Sequence, residues 1–318
     1  MEARKLIKFG NSSFVMSIPP DWIAHNNLKK GEQVFVERDG SSLKINARKD
    51  TPPEKIRKIV IETAGKHLAY IRTEIVSAYL TNHNIIDVRG QNLKTIAPSI
   101  KQIIRNLVGL EIMALTADRI IAKDLLDARA VSIRNIIRRI DMSVRSMLTD
   151  SFASKISEYC ESINERDKDV NRLVFLAYRI LRKALKEPPY AQHIGLEPIA
   201  ILVNWEIVMR LEKIGDQSKR IARCLNSGKA GSRTALYKLH KTLESDYLDV
   251  MKAYYTDDKE VAYQIEVSQS SRIALCDSYL KMHAGVNDIQ IILNLKGTNS
   301  SIRHIARSVI AKEEPSKG

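Results

Sequence analysis

The opening segment of about fifty residues contains four short strand signals and one short helix signal, and this feature most constrains the fold. Residues 4–15 are typical of two short strands around a Gly-Asn-Ser turn, and the proline pair at 19–20 excludes a central strand there. A second hairpin follows, with alternating strands around Asp39-Gly40. A segment of about fifty residues buries too little apolar surface for an independent core. We therefore expect a second copy of the chain to complete this unit.

The order of these signals resembles the SpoVT-AbrB (MazE-like) swapped-hairpin DNA-binding domain. The shared pattern is a basic strand, Gly-Asn-Ser, Val-x-x-Ile-Pro, a short helix, Leu-Lys-Lys-Gly-Glu and a closing hairpin, over Met1 to about Asn46. The resemblance implies a homodimer in which two chains interleave their hairpins into one small β-barrel. It also implies that basic residues of the first strand and its turn face DNA. The matching residues here are Arg4, Lys5, Lys8, Asn11, Ser12, Ser13 and Arg38.

The chemistry of these residues suits an operator. Arginine and lysine neutralise phosphates, and small polar turn residues let backbone N–H groups approach them closely. The whole chain carries 51 Lys and Arg against 37 Asp and Glu, a formal charge of +14, which favours polyanionic partners. The alternative interpretation is that these charges only form a solvated strand face.

The length of 318 residues predicts about two or three domains. The sequence has no uncharged apolar run of about 18 residues and no apolar signal region at its start, so we expect no membrane span and a cytoplasmic location. The three cysteines are far apart, which argues against a disulfide framework or a zinc knuckle and favours buried thiols.

A small α/β connector is expected over residues 51–117, after the head domain at 1–50. The pattern predicts a helix from about Glu54 to Leu80, a short strand at 85–88, a helix at 93–108 and another strand at 111–115. No motif in this segment carries chemistry. We expect it to serve as a spacer or a dimer contact.

From Asp118 onward the apolar spacing predicts helices throughout. Three helices end at Asn226-Ser227-Gly228, and three more follow, which predicts three-helix bundles at 118–228 and 229–314. A short echo supports duplication, because Ile-Ala-Arg at 221–223 recurs at 305–307. The predicted fold is therefore a swapped-hairpin β-barrel head, an α/β connector and an all-α duplicated bundle.

The third of these helices carries a second resemblance. Leu-Glu-Lys-Ile-Gly-Asp-Gln-Ser-Lys-Arg-Ile-Ala at 211–222 is similar to the signature of PhoU proteins, regulators of phosphate uptake, and residues 167–176 resemble the family's Asp-x-x-Ile-Asp-x-Leu segment. The resemblance covers about Asp118 to Ala311. It implies two three-helix bundles side by side and, in some members, metal clusters at paired acidic motifs. The order of head and body is similar to that of archaeal phosphate-responsive regulators.

Two pairs of residues nominate a metal site in the first bundle. Glu212 and Asp216 lie four residues apart on one helix face, as do Asp167 and Asn171, and such oxygen ligands suit a divalent cation or iron. Gln217 replaces the family's histidine and Asn171 its second aspartate. In the second bundle Lys296 and Ser300 stand at the matching positions, so only the first bundle retains the carboxylate pair. The alternative is that these acids form salt bridges with neighbours such as Arg172 or Lys219.

No catalytic constellation is predicted, and we expect no enzyme. The sequence has no phosphate-binding glycine loop after a strand and no nucleophile triad. The three histidines of the second bundle, at 240, 283 and 304, show no ligand spacing and are expected to be satisfied surface groups. Asp141 with Arg138 and Arg139 is expected to form a solvated charged face.

These observations predict a dimeric, DNA-binding transcriptional regulator of phosphate uptake or the phosphate response. Its head would bind operator DNA, and its body would sense or relay the signal, with a phosphate-signalling protein as a further partner. One alternative is an adaptor of a phosphate transporter or sensor kinase in which the head only dimerises. A second is an antitoxin that binds DNA and a toxin, although antitoxins of this kind carry a short flexible tail rather than about two hundred helical residues.

Overall fold

The computed structural model describes residues 3–40, 42–47, 56–91, 93–153, 156–228 and 230–312. The chain divides into two compact units, Met1–Lys55 and Ile56–Gly318, which we call the head and the body. The α/β segment and the helices that follow it therefore share one unit.

The head consists of two β-hairpins and a short helix. β1 (Ile7–Phe9) pairs antiparallel with β2 (Ser13–Val15), and β3 (Phe35–Asp39) pairs antiparallel with β4 (Ser42–Asn46). α1 (Pro20–His25) begins with a proline, whose missing N–H costs no helical hydrogen bond at that position. Both predicted hairpins and the predicted helix are confirmed.

The body begins with a four-stranded sheet and two helices. The strands are β5 (Lys58–Glu62), β6 (Ile85–Arg89), β7 (Leu110–Leu115) and β8 (Arg119–Asp124), in the order β5–β6–β8–β7. β5 and β6 are parallel, with α2 (Leu68–Leu80) between them in sequence, and α3 (Leu93–Arg105) connects β6 to β7. β8 is antiparallel to both of its neighbours.

One face of this sheet forms a core with the two helices. Apolar residues at alternate strand positions are buried on this face, including Ile86 and Val88 of β6 and Ile120 of β8, and Asp87 on the other face of β6 is buried as well. They cluster with buried residues of α2 and α3, such as Ile75 and Ile100. Apolar residues at every second position of one face are typical of strands that pack on helices.

Two predictions for this region are wrong. Residues 58–62 form β5 rather than part of a helix reaching Leu80, and residues 119–124 form β8 rather than the start of the helical body. Residues 54–55 of the predicted helix lie outside the described residues. Both misassigned segments are short β-branched runs that pair with β6, a contact that local periodicity does not contain.

The rest of the body is helical and contains two three-helix bundles, as predicted. The helices are α4 (Ile133–Asp150), α5 (Ile156–Lys186), α6 (Pro188–His193), α7 (Pro198–Ser227), α8 (Arg233–Thr256), α9 (Lys259–Met282) and α10 (Val286–Ile310). α4, α5 and α7 pack on one another, α8, α9 and α10 form the second bundle, and α7 packs along α10. The short helix α6 was not predicted. Among the described residues, no helix is both long and apolar enough to cross a membrane.

A buried ion pair joins the sheet to the first bundle. Arg179 of α5 is 4% exposed and forms a salt bridge with Asp124 of β8. Its guanidinium also donates to Asn82 Oδ1 at 3.1 Å and lies 4.6 Å from the ring centroid of Tyr79 in α2. Desolvation opposes the charged form, but the hydrogen bond and charge of Asp124 raise the pKa of Arg179 above its usual value. The connector is thus anchored on α5.

Candidate functional site

The first hairpin of the head presents a polar turn between two short strands. Lys8 of β1 stands opposite Phe14 of β2, and Phe9 stands opposite Ser13. Gly10 begins the turn with φ +69°, a conformation that glycine adopts without strain. Because side chains alternate along a strand, Lys8 points away from the face that carries Phe9.

All seven predicted DNA-binding residues are exposed. Lys8 lies in β1, Asn11 and Ser12 lie in the turn, and Ser13 begins β2. Arg4 and Lys5 precede β1 and are separated from it by Leu6. Arg38 lies apart from these residues in sequence, on β3 of the separate two-stranded sheet. The first hairpin therefore contains Lys8, Asn11, Ser12 and Ser13 of the set.

The head exposes a large apolar surface. No described residue between 3 and 47 is buried. Phe9 is 69% exposed on one face of the first hairpin, and Phe14 is 65% exposed on the other. Val36 and Leu43 of the second hairpin are also largely exposed. A single head thus lacks a core, as expected of a unit that needs a second copy.

The acidic residues of the first bundle surround a lysine. Lys219 of α7 donates from Nζ to Asp167 Oδ2 of α5 at 2.7 Å and lies 3.0 Å from Asp216 Oδ1. Arg220 Nη2 lies 2.7 Å from the other oxygen of Asp216. Asn171 donates to Asp167 Oδ2 at 3.3 Å. Three of the four predicted ligand residues, Asp167, Asn171 and Asp216, are therefore near one another, but both aspartates bind an ammonium group.

We call Asp167, Glu212 and Asp216 the acidic cluster. Its charges, together with that of Lys219, shift the pKa values of Glu212, Asp216 and Lys219. Burial raises the pKa of Glu212, and the negative charges of Asp216 and Asp167 raise it further. Burial would raise the pKa of Asp216 as well, but hydrogen bonding and charge from Lys219 lower it overall. Burial opposes the charge on Lys219, yet its bonds to Asp167 and Asp216 raise its pKa.

These residues do not fit a metal ion in their present arrangement. A divalent ion needs several oxygens at about 2.0–2.6 Å, whereas the oxygens of Asp167 and Asp216 converge on a protein cation. Within the described ranges, no group of three or more His, Cys, Asp or Glu is placed to hold a metal. The salt-bridge interpretation is confirmed for Lys219, whereas Arg172 pairs with Asp169 instead.

Gln217, which replaces the family's histidine, points to the other bundle. Its side chain is 6% exposed, and its Oε1 accepts a hydrogen bond of 3.1 Å from Thr298 Oγ1 of α10. A Cβ atom on Gly297 would lie 2.0 Å from Gln217 Nε2. The glutamine therefore packs between α7 and α10 rather than facing the acidic cluster.

The first bundle also contains a buried carboxylate that the sequence did not predict. Asp141 of α4 is 3% exposed, although we expected a solvated face. It accepts hydrogen bonds from Tyr247 at 2.7 Å and Tyr255 at 3.0 Å, both of α8, and pairs with Arg145. The only sequence signal was an acid on the apolar side of an otherwise amphipathic helix.

The histidine prediction is also wrong in one case. His240 of α8 is 1% exposed rather than a surface group, and neither ring nitrogen forms a hydrogen bond of ordinary geometry, although the backbone of Leu148 lies near the ring. Its ring stacks on Phe152, with 4.2 Å between ring centroids. Burial lowers its pKa to about 4, so the ring is neutral at physiological pH.

Two family models match separate parts of the chain. Residues 7–56 match the model described as antidote-toxin recognition MazE, bacterial antitoxin, and residues 133–225 match the PhoU domain. The second match spans α4 to α7, that is, the first bundle. A comparison with curated proteins and with solved structures finds no match. The predicted fusion of a MazE-like segment with a PhoU-like segment is confirmed.

Proposed function

We propose that this protein is a dimeric, DNA-binding transcriptional regulator of phosphate uptake or the phosphate response. The observation that carries the proposal is a hairpin with exposed Lys8, Asn11 and Ser12 in a MazE-like segment, on the same chain as a PhoU-like bundle. Strand and turn donors of this kind suit phosphate contacts along DNA. Both matched domains are regulatory, so we propose no catalytic activity.

The exposed apolar residues of the head support dimerisation through swapped hairpins. With Lys8 directed to DNA, the opposite face of β1 carries Ile7 and Phe9, which are 61% and 69% exposed. A second copy would bury these side chains and create a two-fold basic surface. Such a surface fits a pseudo-palindromic operator. We propose a cytoplasmic location, where such DNA is accessible.

The body would bias the DNA affinity of the head. A phosphate-signalling partner or ligand shifts an equilibrium only if it binds one state of the protein more tightly than another. A direct check is to measure operator affinity with and without inorganic phosphate. An unchanged affinity would assign the signal to a protein partner instead.

The main test is salt-titrated DNA binding by the full chain. The probes are the DNA upstream of its own gene, phosphate-transporter promoters and random duplex. Lys8→Ala should weaken binding and reduce the slope of log affinity against log salt by about 2 per dimer, because each copy loses about one phosphate contact. Lys30→Ala is the matched control, since it removes one exposed charge of the head outside the first hairpin. Equal slopes for wild type and Lys8→Ala would show that Lys8 makes no contact with DNA phosphates.

An antitoxin is the second candidate, because the matched N-terminal model is described as a bacterial antitoxin. A neighbouring gene whose product is toxic alone and harmless with this chain would favour it. The third candidate is an adaptor of a phosphate transporter or sensor kinase. It predicts that the chain still binds such a partner after Arg4 and Lys8 are replaced. Sequence-selective DNA binding with a steep salt slope would favour the regulator over both.

A further inference from the structure

We propose that Lys219 is the resident cation of the first bundle and holds the acidic cluster in place of a metal ion. Its ammonium contacts carboxylates of two helices, Asp167 on α5 and Asp216 on α7. The three side chains are 15%, 14% and 28% exposed, respectively, so solvent screens these contacts only in part. Lys219 thereby joins the second and third helices of the bundle.

Three of the four oxygen atoms of the two aspartates already contact protein donors. Asp216 offers one oxygen to Lys219 and the other to Arg220, and Asn171 shares Asp167 Oδ2 with Lys219. A metal ion between Asp167 and Asp216 would lie within a few ångströms of the ammonium, and the like charges would repel each other. Metal binding therefore requires that Lys219 leave.

The second bundle also has a contact between a cation of its third helix and a carboxylate of its second helix, although it lacks the carboxylate pair. The alignment that sets Lys296 against Glu212 also sets Arg303 of α10 against Lys219. Arg303 Nη2 lies 2.8 Å from Glu266 Oε1 of α9, and Arg307 reaches the same oxygen at 2.9 Å. Hydrogen bonds from Arg303, with burial acting in the opposite direction, lower the pKa of Glu266 to about 2. Each bundle thus places a protein cation from its third helix on a carboxylate of its second.

Asp167 and Asp216 are the groups that a vacated site would offer, because an oxygen of each already lies within 3.0 Å of the same ammonium nitrogen. Removal of the ammonium would leave these two carboxylates facing each other without a cation, and water would supply the remaining oxygen ligands of a bound ion. Oxygen-rich sites of this kind suit divalent ions. We therefore expect Lys219→Ala to acquire a metal site that the wild type lacks.

The test is Mn²⁺ binding by chelator-treated, full-length protein, measured by retained metal and by thermal unfolding. Wild type should retain no stoichiometric Mn²⁺ and keep its Tm in Mn²⁺ or chelator. Lys219→Ala should retain about one Mn²⁺ per chain and gain Tm with the ion, as expected for ligand binding to the folded state. Arg220→Ala is the matched control, because it removes a neighbouring cation but leaves Lys219, and it should behave like wild type.

Lys219→Met keeps the side-chain stem and replaces Lys219→Ala if the alanine variant fails to fold. Stoichiometric Mn²⁺ on wild type that Asp216→Asn abolishes would overturn the proposal. A folded Lys219 variant that binds no more Mn²⁺ than wild type would also overturn it.

Discussion

Gln217 of α7 fills the space above Gly297 of α10, so that a Cβ at position 297 would lie 2.0 Å from the amide nitrogen of Gln217. Thr298, the next residue, donates a hydrogen bond to the carbonyl oxygen of the same glutamine. This contact joins the third helices of the two bundles. The absence of a side chain at position 297 is therefore what lets the glutamine lie between them.

Gly297→Ala should destabilise the body by about 1–2 kcal/mol, because Gln217 must move and its hydrogen bond is lost, although alanine favours the helix. Gly215→Ala is the matched control, since its Cβ would meet no atom closer than 3.5 Å. That control should be neutral or stabilising by up to about 1 kcal/mol. Urea unfolding measures both. Gln217→Ala should remove the penalty of Gly297→Ala, and an unchanged penalty would contradict the contact.

His240 should make the body less stable at acidic pH. The folded pKa of about 4 lies below the unfolded value of 6.5, so the unfolded state binds more protons between these values. Stability is unaffected above pH 6.5, falls as the pH drops towards 4, and the full loss amounts to about 3 kcal/mol. Between pH 7.5 and pH 5, the free energy of unfolding measured in urea should fall by about 2 kcal/mol because of this group.

His240→Leu should flatten this part of the pH profile, whereas His193→Gln, which removes an exposed histidine, should not. Parallel profiles for wild type and His240→Leu would show that the buried ring does not control the acid sensitivity.

The two tyrosines on Asp141 should contribute unequally. Tyr247→Phe removes a donor from a wholly buried carboxylate contact and should cost about 2 kcal/mol. Tyr255→Phe removes a longer bond from a partly exposed residue and should cost about 1 kcal/mol. Tyr263→Phe, on the surface of α9, is the control and should be neutral. Chemical denaturation gives the free energy of unfolding of the three variants. Equal losses for Tyr247→Phe and Tyr263→Phe would show that the hydrogen bond from Tyr247 to Asp141 does not stabilise the body.

Phe9 should control the dimer. Phe9→Ser should weaken dimerisation at least about tenfold, because burial of one phenylalanine side chain contributes about 1.5–3 kcal/mol in each copy. Val267→Ser is the control, since it changes a 78% exposed apolar residue of α9 outside the head. Sedimentation equilibrium gives the dissociation constants. A dimer that tolerates Phe9→Ser as well as Val267→Ser would place the interface elsewhere.

Local patterns were sufficient for much of the fold. The head's hairpins followed from turn dipeptides and from alternation over a few residues, and the long helices followed from apolar spacing and stop signals. These signals act between residues close in sequence. The same reasoning failed at β5 and β8, because their apolar runs suit a buried strand or a helix equally well. Their pairing with β6, more than twenty residues away, decided the outcome.

For the candidate sites too, the sequence determined some features and the tertiary structure determined others. The sequence was enough to place Lys8, Asn11 and Ser12 on one hairpin, because a short antiparallel pair brings its own turn residues together. It also placed Glu212 and Asp216 on one helix face, because the helical period determines that spacing. It left two roles open for the acids, metal ligands or salt bridges. The packing of α5 against α7 brings Asp167 to Lys219, the contact on which our proposal of a resident cation rests, and the packing of α7 on α10 turns Gln217 away from the acidic cluster. Which groups of different helices meet depends on the rotation of each helix against its neighbours, and periodicity within one helix does not specify that rotation.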